Sequence, residues 1–307
     1  MKNKYQNINN EILEMCTIKD VLRLMVTKLN DSDVCYGQGT DNSFDEAVYL
    51  LFSTIKLSTD VPEIFLSSRL TRSEKKKIAE VLISRIFDRI PSAYLTNVIW
   101  FCEHELYVDE RVFIPRSPIS ELIDNNFESI INVEPKKILD LCTGSGCIAI
   151  SCAHIFKNSE IEASDISREA LEVARKNIEL HSLSERIILI HSDLFTSIPP
   201  KKYDLIITNP PYVDQKTLGM LPKEYQMEPV ISLRAGEDGL KFIKKILRYS
   251  SYFLNENGLL ICEVGENIMN LFSRFPKVNF KILKLKNKGK GVFCIGKRQI
   301  FENQKFF

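Results

Sequence analysis

No run of eighteen apolar residues occurs anywhere in this 307-residue chain, which excludes the usual signature of a membrane-spanning helix. The N-terminal stretch Met1-Lys2-Asn3-Lys4-Tyr5-Gln6-Asn7 has no apolar core of the kind a secretory leader needs. Charge of one sign is also missing. Lys and Arg number 41 against 40 Asp and Glu, so no strong field gathers nucleic acid or anionic lipid, and only a local basic patch stays open. Cysteine pairing is absent too. The eight cysteines form no Cys-x-x-Cys pair and have no histidine at ligand spacing, so they read as small buried hydrophobes in a reducing compartment, with no metal site expected. These absences predict a cytoplasmic protein with no membrane partner and no direct nucleic-acid substrate. The histidines (His104, His154, His181 and His191) lie outside every motif and receive no catalytic role.

What is present is a change of period along the chain. Residues 8–90 carry helical apolar spacing, as in Ile12, Leu13, Cys16, Val21, Leu22, Leu24, Met25 and Leu29. Ser43 with Glu46 and Thr71 with Glu74 each have the spacing of a reciprocal N-terminal cap, and Pro91 stops the last helix. By composition, Tyr36-Gly37-Gln38-Gly39-Thr40-Asp41-Asn42 is a flexible connector. From Asn97 to Pro115 the spacing turns to two, as in paired strands turning near Glu103-His104-Glu105 and Asp109-Glu110. Beyond it strands and helices alternate, the mark of a parallel sheet covered on both faces. The expected division is a helical domain over 1–97, a β-hairpin connector over 98–118 and an α/β domain over 119–307. Strands are expected at Lys137–Leu141, Ile161–Ser164, Ile187–Ile190, Tyr203–Thr208 and Leu259–Val264, and helices at Ile119–Ile130, Gly146–Ile155, Ser167–His181, Gly239–Leu254 and Asn267–Phe275. A terminal antiparallel hairpin joins Phe280–Leu285 to Gly291–Ile295 through Asn287-Lys288-Gly289-Lys290.

Two strand ends carry chemistry. The first strand of the α/β region runs into Asp140-Leu141-Cys142-Thr143-Gly144-Ser145-Gly146. Gly144 and Gly146 allow positive φ and a close approach to the backbone, and the helix start behind them offers free N–H groups. The third glycine of a dinucleotide fingerprint and the Gly-Lys-Ser/Thr of a Walker loop are both missing. Asp140 can face an ammonium. Asp165, ending the next strand, can accept both hydroxyls of a ribose, and Asp193 can accept from an exocyclic amine beside the apolar Leu194 and Phe195. A ligand with an amino-acid end, a ribose and an adenine fits, and S-adenosylmethionine has all three. At the fourth strand end Asn209-Pro210-Pro211-Tyr212 breaks the chain: two prolines remove two donors, leaving the Asn209 side-chain oxygen and the Pro210 carbonyl as acceptors beside an aromatic face. Such a loop suits a flat, neutral NH2 group.

These motifs together resemble the class I S-adenosylmethionine-dependent methyltransferases, with their Rossmann-like parallel sheet. Asn209-Pro210-Pro211-Tyr212 narrows the likeness to enzymes that methylate planar NH2 groups on DNA, ribosomal RNA or protein glutamine. The chain is most similar to the protein glutamine methyltransferases, through Arg89 to Asn97, Phe101 to Pro115, Asp140 to Gly146, Glu228-Pro229, Gly236 to Leu240 and Glu263-Val264-Gly265. Pro115-Arg116-Ser117-Pro118, Trp100-Phe101-Cys102 and Tyr36–Asn42 are similar to the branch acting on the third protein of the large ribosomal subunit. The release-factor branch is the closest alternative, a nucleic-acid amino methyltransferase the more distant one, and a non-catalytic, cofactor-sensing assembly factor the third. Gln38, Cys142 and Lys288-Gly289-Lys290 depart from that pattern.

The resemblance implies a cofactor site of Asp140, Thr143, Gly144, Ser145, Gly146, Asp165, Asp193, Leu194 and Asn209. Asn209, Pro210 and Tyr212 are the expected catalytic residues, and these with Pro211 and Arg116 the expected substrate contacts. The implied substrate is a ribosomal protein, free or in assembling ribosomes, and the Tyr36–Asn42 loop is expected to help dock it. The long segment Val213–Glu237 reads as a lid or substrate-binding segment, with Asp238 capping the next helix.

Overall fold

The computed structural model describes residues 2–128, 130–286 and 291–307. The chain forms two compact units, Met1–Ile99 with Pro222–Met227, and Trp100–Leu221 with Glu228–Phe307.

The first unit contains α1 (Lys2–Glu14), α2 (Ile18–Asn30), α3 (Ser43–Ile55), α4 (Arg72–Ile83) and the short α5 (Ser92–Thr96). Their apolar stripes meet in one core, with Ile12, Met25, Leu29, Leu50, Leu51, Ile78 and Leu82 removed from solvent. Thr71 and Glu74 make the expected reciprocal cap, and Thr17 with Asp20 makes another. The cap expected at Ser43 is not formed. Asn42 takes that place, its side-chain oxygen accepting the Phe44 and Asp45 amides at 3.0 and 2.9 Å. Glu46 is thereby released from capping and turns inward to Arg85. The loop Tyr36–Asn42 is also ordered: the Gly37 amide donates to the Thr40 carbonyl at 2.7 Å, and Gln38 is buried.

The second unit begins with a two-stranded sheet of β1 (Val98–Phe101) and β2 (His104–Tyr107), and the division between the units falls within β1. Cys102 and Glu103, at φ 49° and 61°, make the turn, so it comes earlier than expected and His104 is already strand. Among the described residues no strand forms at Val112–Ile114; both residues are buried in a loop. Helix α6 (Ile119–Asp124) stops short of the expected Ile130 because Asn126 and Phe127 turn to positive φ.

The main sheet follows as β3 (Lys137–Leu141), α7 (Cys147–Ile155), β4 (Glu160–Asp165), α8 (Arg168–Leu180), β5 (Ile187–His191), β6 (Tyr203–Thr208), α9 (Gln215–Leu218), α10 (Lys241–Phe253), β7 (Leu254–Glu263), α11 (Ile268–Arg274), β8 (Lys281–Ile282), β9 (Val292–Gly296) and α12 (Lys297–Glu302). Its strand order is β5-β4-β3-β6-β7-β9-β8, parallel except at β9, which runs antiparallel to both β7 and β8. The expected terminal antiparallel pair is therefore present, although β8 is shorter than foreseen; its turn, 287–290, lies outside the described residues. At the start of the strands one carboxylate fixes the register: Asp204 accepts the Lys136 and Lys137 amides at 2.8 and 3.0 Å and the Asn255 side chain at 2.5 Å. The order runs outward from β3 to β4 and β5, then reverses to β6. That reversal leaves a crevice at the carboxyl ends of β3 and β6, where open sheets of this kind receive ligands.

Candidate active site

The register decides which residues meet in the crevice. Leu141 of β3 pairs with Thr208 of β6 on one side and Ser164 of β4 on the other. Neighbouring strands lie about 4.8 Å apart, so Cys142 and Asn209, each one residue further on, face the same opening. The Thr208 hydroxyl donates to the Leu141 carbonyl at 2.8 Å and locks this edge.

The glycine loop is built by its own acids. Asp140, fully buried, accepts the Thr143 hydroxyl at 2.5 Å and the Ala149 amide at 3.2 Å on one oxygen, while its other oxygen has no partner among the described residues. Burial raises its pKa to about 7. Asp165 accepts the Gly144 amide and the Ser167 amide, both at 2.9 Å, one on each oxygen. Burial pushes its pKa up as well, the amide hydrogen bonds opposing. Asp165 therefore shapes the loop, and each of its oxygens keeps a second lone pair for a hydroxyl donor. Gly144 sits at φ 55°, and an added Cβ there meets nothing within 4 Å, so the loop opens onto space. The Ser145 hydroxyl is buried and has no partner among the described residues. Asp193 is exposed at the crevice rim, followed by the buried Leu194 at φ 50°.

Asn209 is the fourth element. Its side-chain oxygen is buried and has no hydrogen-bond partner among the described residues. Three orphaned polar atoms, on Asp140 of β3 and on Ser145 and Asn209 of the loops beyond β3 and β6, thus gather at this edge. A buried polar atom left unpaired costs about 1–3 kcal/mol, and such a cost is offset when a ligand supplies the partner. The donor and acceptor set fits a group with an ammonium, hydroxyls and a planar base.

Tyr212 is positioned by residues that the motif alone does not reveal. Its hydroxyl donates to Glu263 at 2.8 Å, and Glu263 also accepts the Ser117 hydroxyl at 2.5 Å. The Tyr212 carbonyl accepts from the Asn267 side chain. Gly265 (φ 53°) is required beneath the ring, since a Cβ there lies 2.6 Å from Tyr212 Cε2. Burial raises the pKa of Glu263 to about 7 and keeps the Tyr212 phenol protonated. Asn177 of α8, fully buried, donates to the carbonyls of Ser145 and Tyr107 at 2.9 Å and accepts the Tyr107 amide at 2.7 Å. It ties the glycine loop to β2. Its signal was an asparagine within the apolar stripe Ala170, Val173, Ala174, Ile178. Glu263 and Gly265 stood within a stretch that carries the resemblance, with no role assigned to either.

Arg116 is engaged within the protein. Its guanidinium makes a two-pronged pair with the buried Glu228, at 2.5 and 2.7 Å, and stacks on the Phe113 ring at 3.9 Å. Glu228 thereby anchors the segment that follows Tyr212. Val213 is stitched to the far end of that segment through Leu233 and Ala235, each at 2.8 Å, so Val213–Glu237 is a closed loop of short helical turns. Asp238 accepts the Leu240 amide at 3.0 Å and pairs with Lys244. A separate cleft of about 420 Å³ lies at the opposite end of the strands, where Lys201 pairs with Glu162 and Lys137 with Glu160.

Residues 120–222 match the family model described as methyltransferase small domain. The chain is 42% identical to the ribosomal protein uL3 glutamine methyltransferase of Neisseria gonorrhoeae, over 95% of this chain and 98% of that protein. It is equally identical to the protein of the same description from Neisseria meningitidis, over 95% and 97%. Among solved structures, a methyltransferase from Pyrococcus furiosus superposes with a TM-score of 0.46 at 17% identity, covering 74% of this chain and 99% of that one.

Proposed function

The chain belongs to the ribosomal protein uL3 glutamine methyltransferases, and from that premise we propose that it methylates the side-chain nitrogen of a glutamine on ribosomal protein uL3, in the cytoplasm. The observation that carries the site assignment is the buried, unpartnered side-chain oxygen of Asn209 beside the glycine loop. S-adenosylmethionine is the cofactor, held by Asp140, Thr143, Gly144, Ser145, Gly146, Asp165, Asp193, Leu194 and Asn209, and when bound it supplies an electrophilic sulfonium methyl.

A carboxamide nitrogen is a poor nucleophile because its lone pair is delocalised into the carbonyl. No side chain at the site deprotonates it near neutral pH. Asn209 and the Pro210 carbonyl each accept one of its N–H groups, which holds the nitrogen and turns its lone pair along the line of attack. Tyr212, tethered by Glu263 and resting on Gly265, covers the flat face of the amide and excludes water. Pro210 and Pro211 keep the acceptors stiff. Alignment of this kind supplies roughly 7–11 kcal/mol of a barrier. The proton leaves after transfer, when the nitrogen is cationic and acidic. Arg116 serves as a positioning residue through Glu228. The helical unit, with the Tyr36–Asn42 loop, serves to recognise the substrate.

The test is incubation with methyl-labelled S-adenosylmethionine and, separately, unmodified uL3, assembling ribosomes, a release factor, DNA and RNA. Label on a uL3 glutamine supports the reading, and the uL3 and ribosome arms separate a free substrate from an assembling one. Label on the release factor or a nucleic acid instead overturns it.

A further inference from the structure

Three histidines far apart in sequence converge away from the crevice. His104 opens β2, His154 lies in the last turn of α7, and His181 caps the C-terminus of α8. One ligand atom from each lies within 4.8 Å of the other two, and all three side chains are half-buried. The rings of His104 and His154 stack at 4.1 Å. His154 stands about eight residues along α7 from the glycine loop, roughly 12 Å at 1.5 Å per residue, so the cluster is separate from the cofactor site.

We propose that His104, His154 and His181 form a binding site for a divalent transition-metal ion with the chemistry of zinc, fastening β2 to the distal ends of α7 and α8. Two features set this trio apart from histidines that merely pack. The Nε2 of His154 is buried and has no partner among the described residues, so an imidazole nitrogen has been desolvated without compensation there. The Nε2 of His181 lies 2.8 Å from the Glu105 carbonyl. A carbonyl only accepts, so in the neutral ring that nitrogen carries the proton and Nδ1 keeps its lone pair. A backbone carbonyl that fixes the tautomer and orientation of a ring is the usual outer partner of a metal-ligating histidine.

The surroundings set the expected strength. The C-terminal carbonyls of α7 and α8 favour a cation, as do Glu103 and Asp124 near His104. Lys157 and Arg186 oppose it, although the Arg186 guanidinium is bound to the carbonyls of Ala153, Phe156 and Ser159. Zinc–nitrogen bonds of about 2.0–2.1 Å bring tetrahedral ligand atoms to roughly 3.3 Å from one another. Binding therefore turns the stacked rings of His104 and His154 until their in-plane lone pairs converge, leaving a fourth position for water.

The test uses tag-free, chelator-stripped full-length protein titrated with zinc against a chromophoric chelator. The expected result is one zinc per chain, with His104→Gln, His154→Gln and His181→Gln each weakening binding about 100-fold or more, and His191→Gln leaving it unchanged. Should a variant lose its fold, side-chain ¹⁵N spectra of the unaltered protein decide: zinc must shift the ring nitrogens of the three and spare His191. Binding no tighter than in His154→Gln, an equal loss in His191→Gln, or unshifted ring nitrogens overturns the proposal.

Discussion

Both units of this protein bury acids, and they treat them in opposite ways. In the helical unit Glu46 and Glu224 meet cations. The Arg85 guanidinium, almost wholly buried, reaches Glu46 at 2.5 Å, Glu224 at 3.1 Å and the Cys35 carbonyl at 2.7 Å. Arg89 adds a second pair to Glu224 at 3.4 Å, and the Cys35 amide donates to it at 2.8 Å. At the sheet edge Asp140 and Glu263 meet mainly hydroxyls and amides, and burial lifts both to about 7. A buried charge with its counter-charge beside it is a structural fastening. A buried acid with neutral partners, or with an oxygen left over, is a group held ready for something else.

The largest way to break that contrast is Arg85→Ala. It strands Glu46 without its cation and leaves Glu224 only the longer pair with Arg89, and a loss of about 3–5 kcal/mol in denaturant unfolding is expected. Glu46→Gln paired with Arg85→Met should recover part of it, and no recovery would mean that packing outweighs the charges.

At the sheet edge, Asn209→Ala is expected to leave most cofactor affinity in place and to remove about 2.7–4 kcal/mol of transition-state stabilisation, by analogy with deletion of one preorganised polar partner. A calorimetric binding curve beside single-turnover rates checks both halves. Near-normal turnover rules out the acceptor role.

Glu263→Gln sharpens the comparison through pH. In the folded protein Glu263 titrates near 7, above its ordinary value of 4.5. Its share of stability is thus full below about pH 4.5, falls as pH rises through about 7, and is flat above. Glutamine does not ionise, so the variant should gain on the parent by about 3 kcal/mol across that interval. Urea melts at pH 4.5, 6 and 8 test this, and a constant difference refutes it.

The smallest effect concerns Cys142, in the turn that opens the glycine loop. The residue sits at φ 61°, in the left-handed region that disfavours a side chain. Cys142→Gly should stabilise by about 0.5–1 kcal/mol, the relief of strain exceeding the extra freedom of the unfolded chain. Equal or lower stability means that thiol packing at this site exceeds the strain.

Much of the site was legible because its signals are local. Asn209-Pro210-Pro211-Tyr212 and Asp140–Gly146 declare themselves within a few residues, since proline and glycine act on their own backbone. The main strands were legible for the same reason: a continuous apolar run such as Leu205-Ile206-Ile207 has no stable place except inside a sheet. The failures came where two local solutions compete. Ser43 and Asn42 are both good caps, and Asn42 prevailed because Glu46 had a partner in Arg85, thirty-nine residues on. Other links have no local sign: Arg116, expected as a substrate contact, is also held by Glu228, and nothing near either residue announces the pair.

The sequence by itself determined the alternation of strand and helix, the glycine turn and the acceptor loop, because each follows from the conformational rules of adjacent residues. The tertiary structure alone decided which strand ends share the crevice, which buried acids face cations and which do not, and that three scattered imidazoles meet. Those outcomes depend on groups brought together from distant parts of the chain, and the energy of a buried polar atom is set by the partner it finds there.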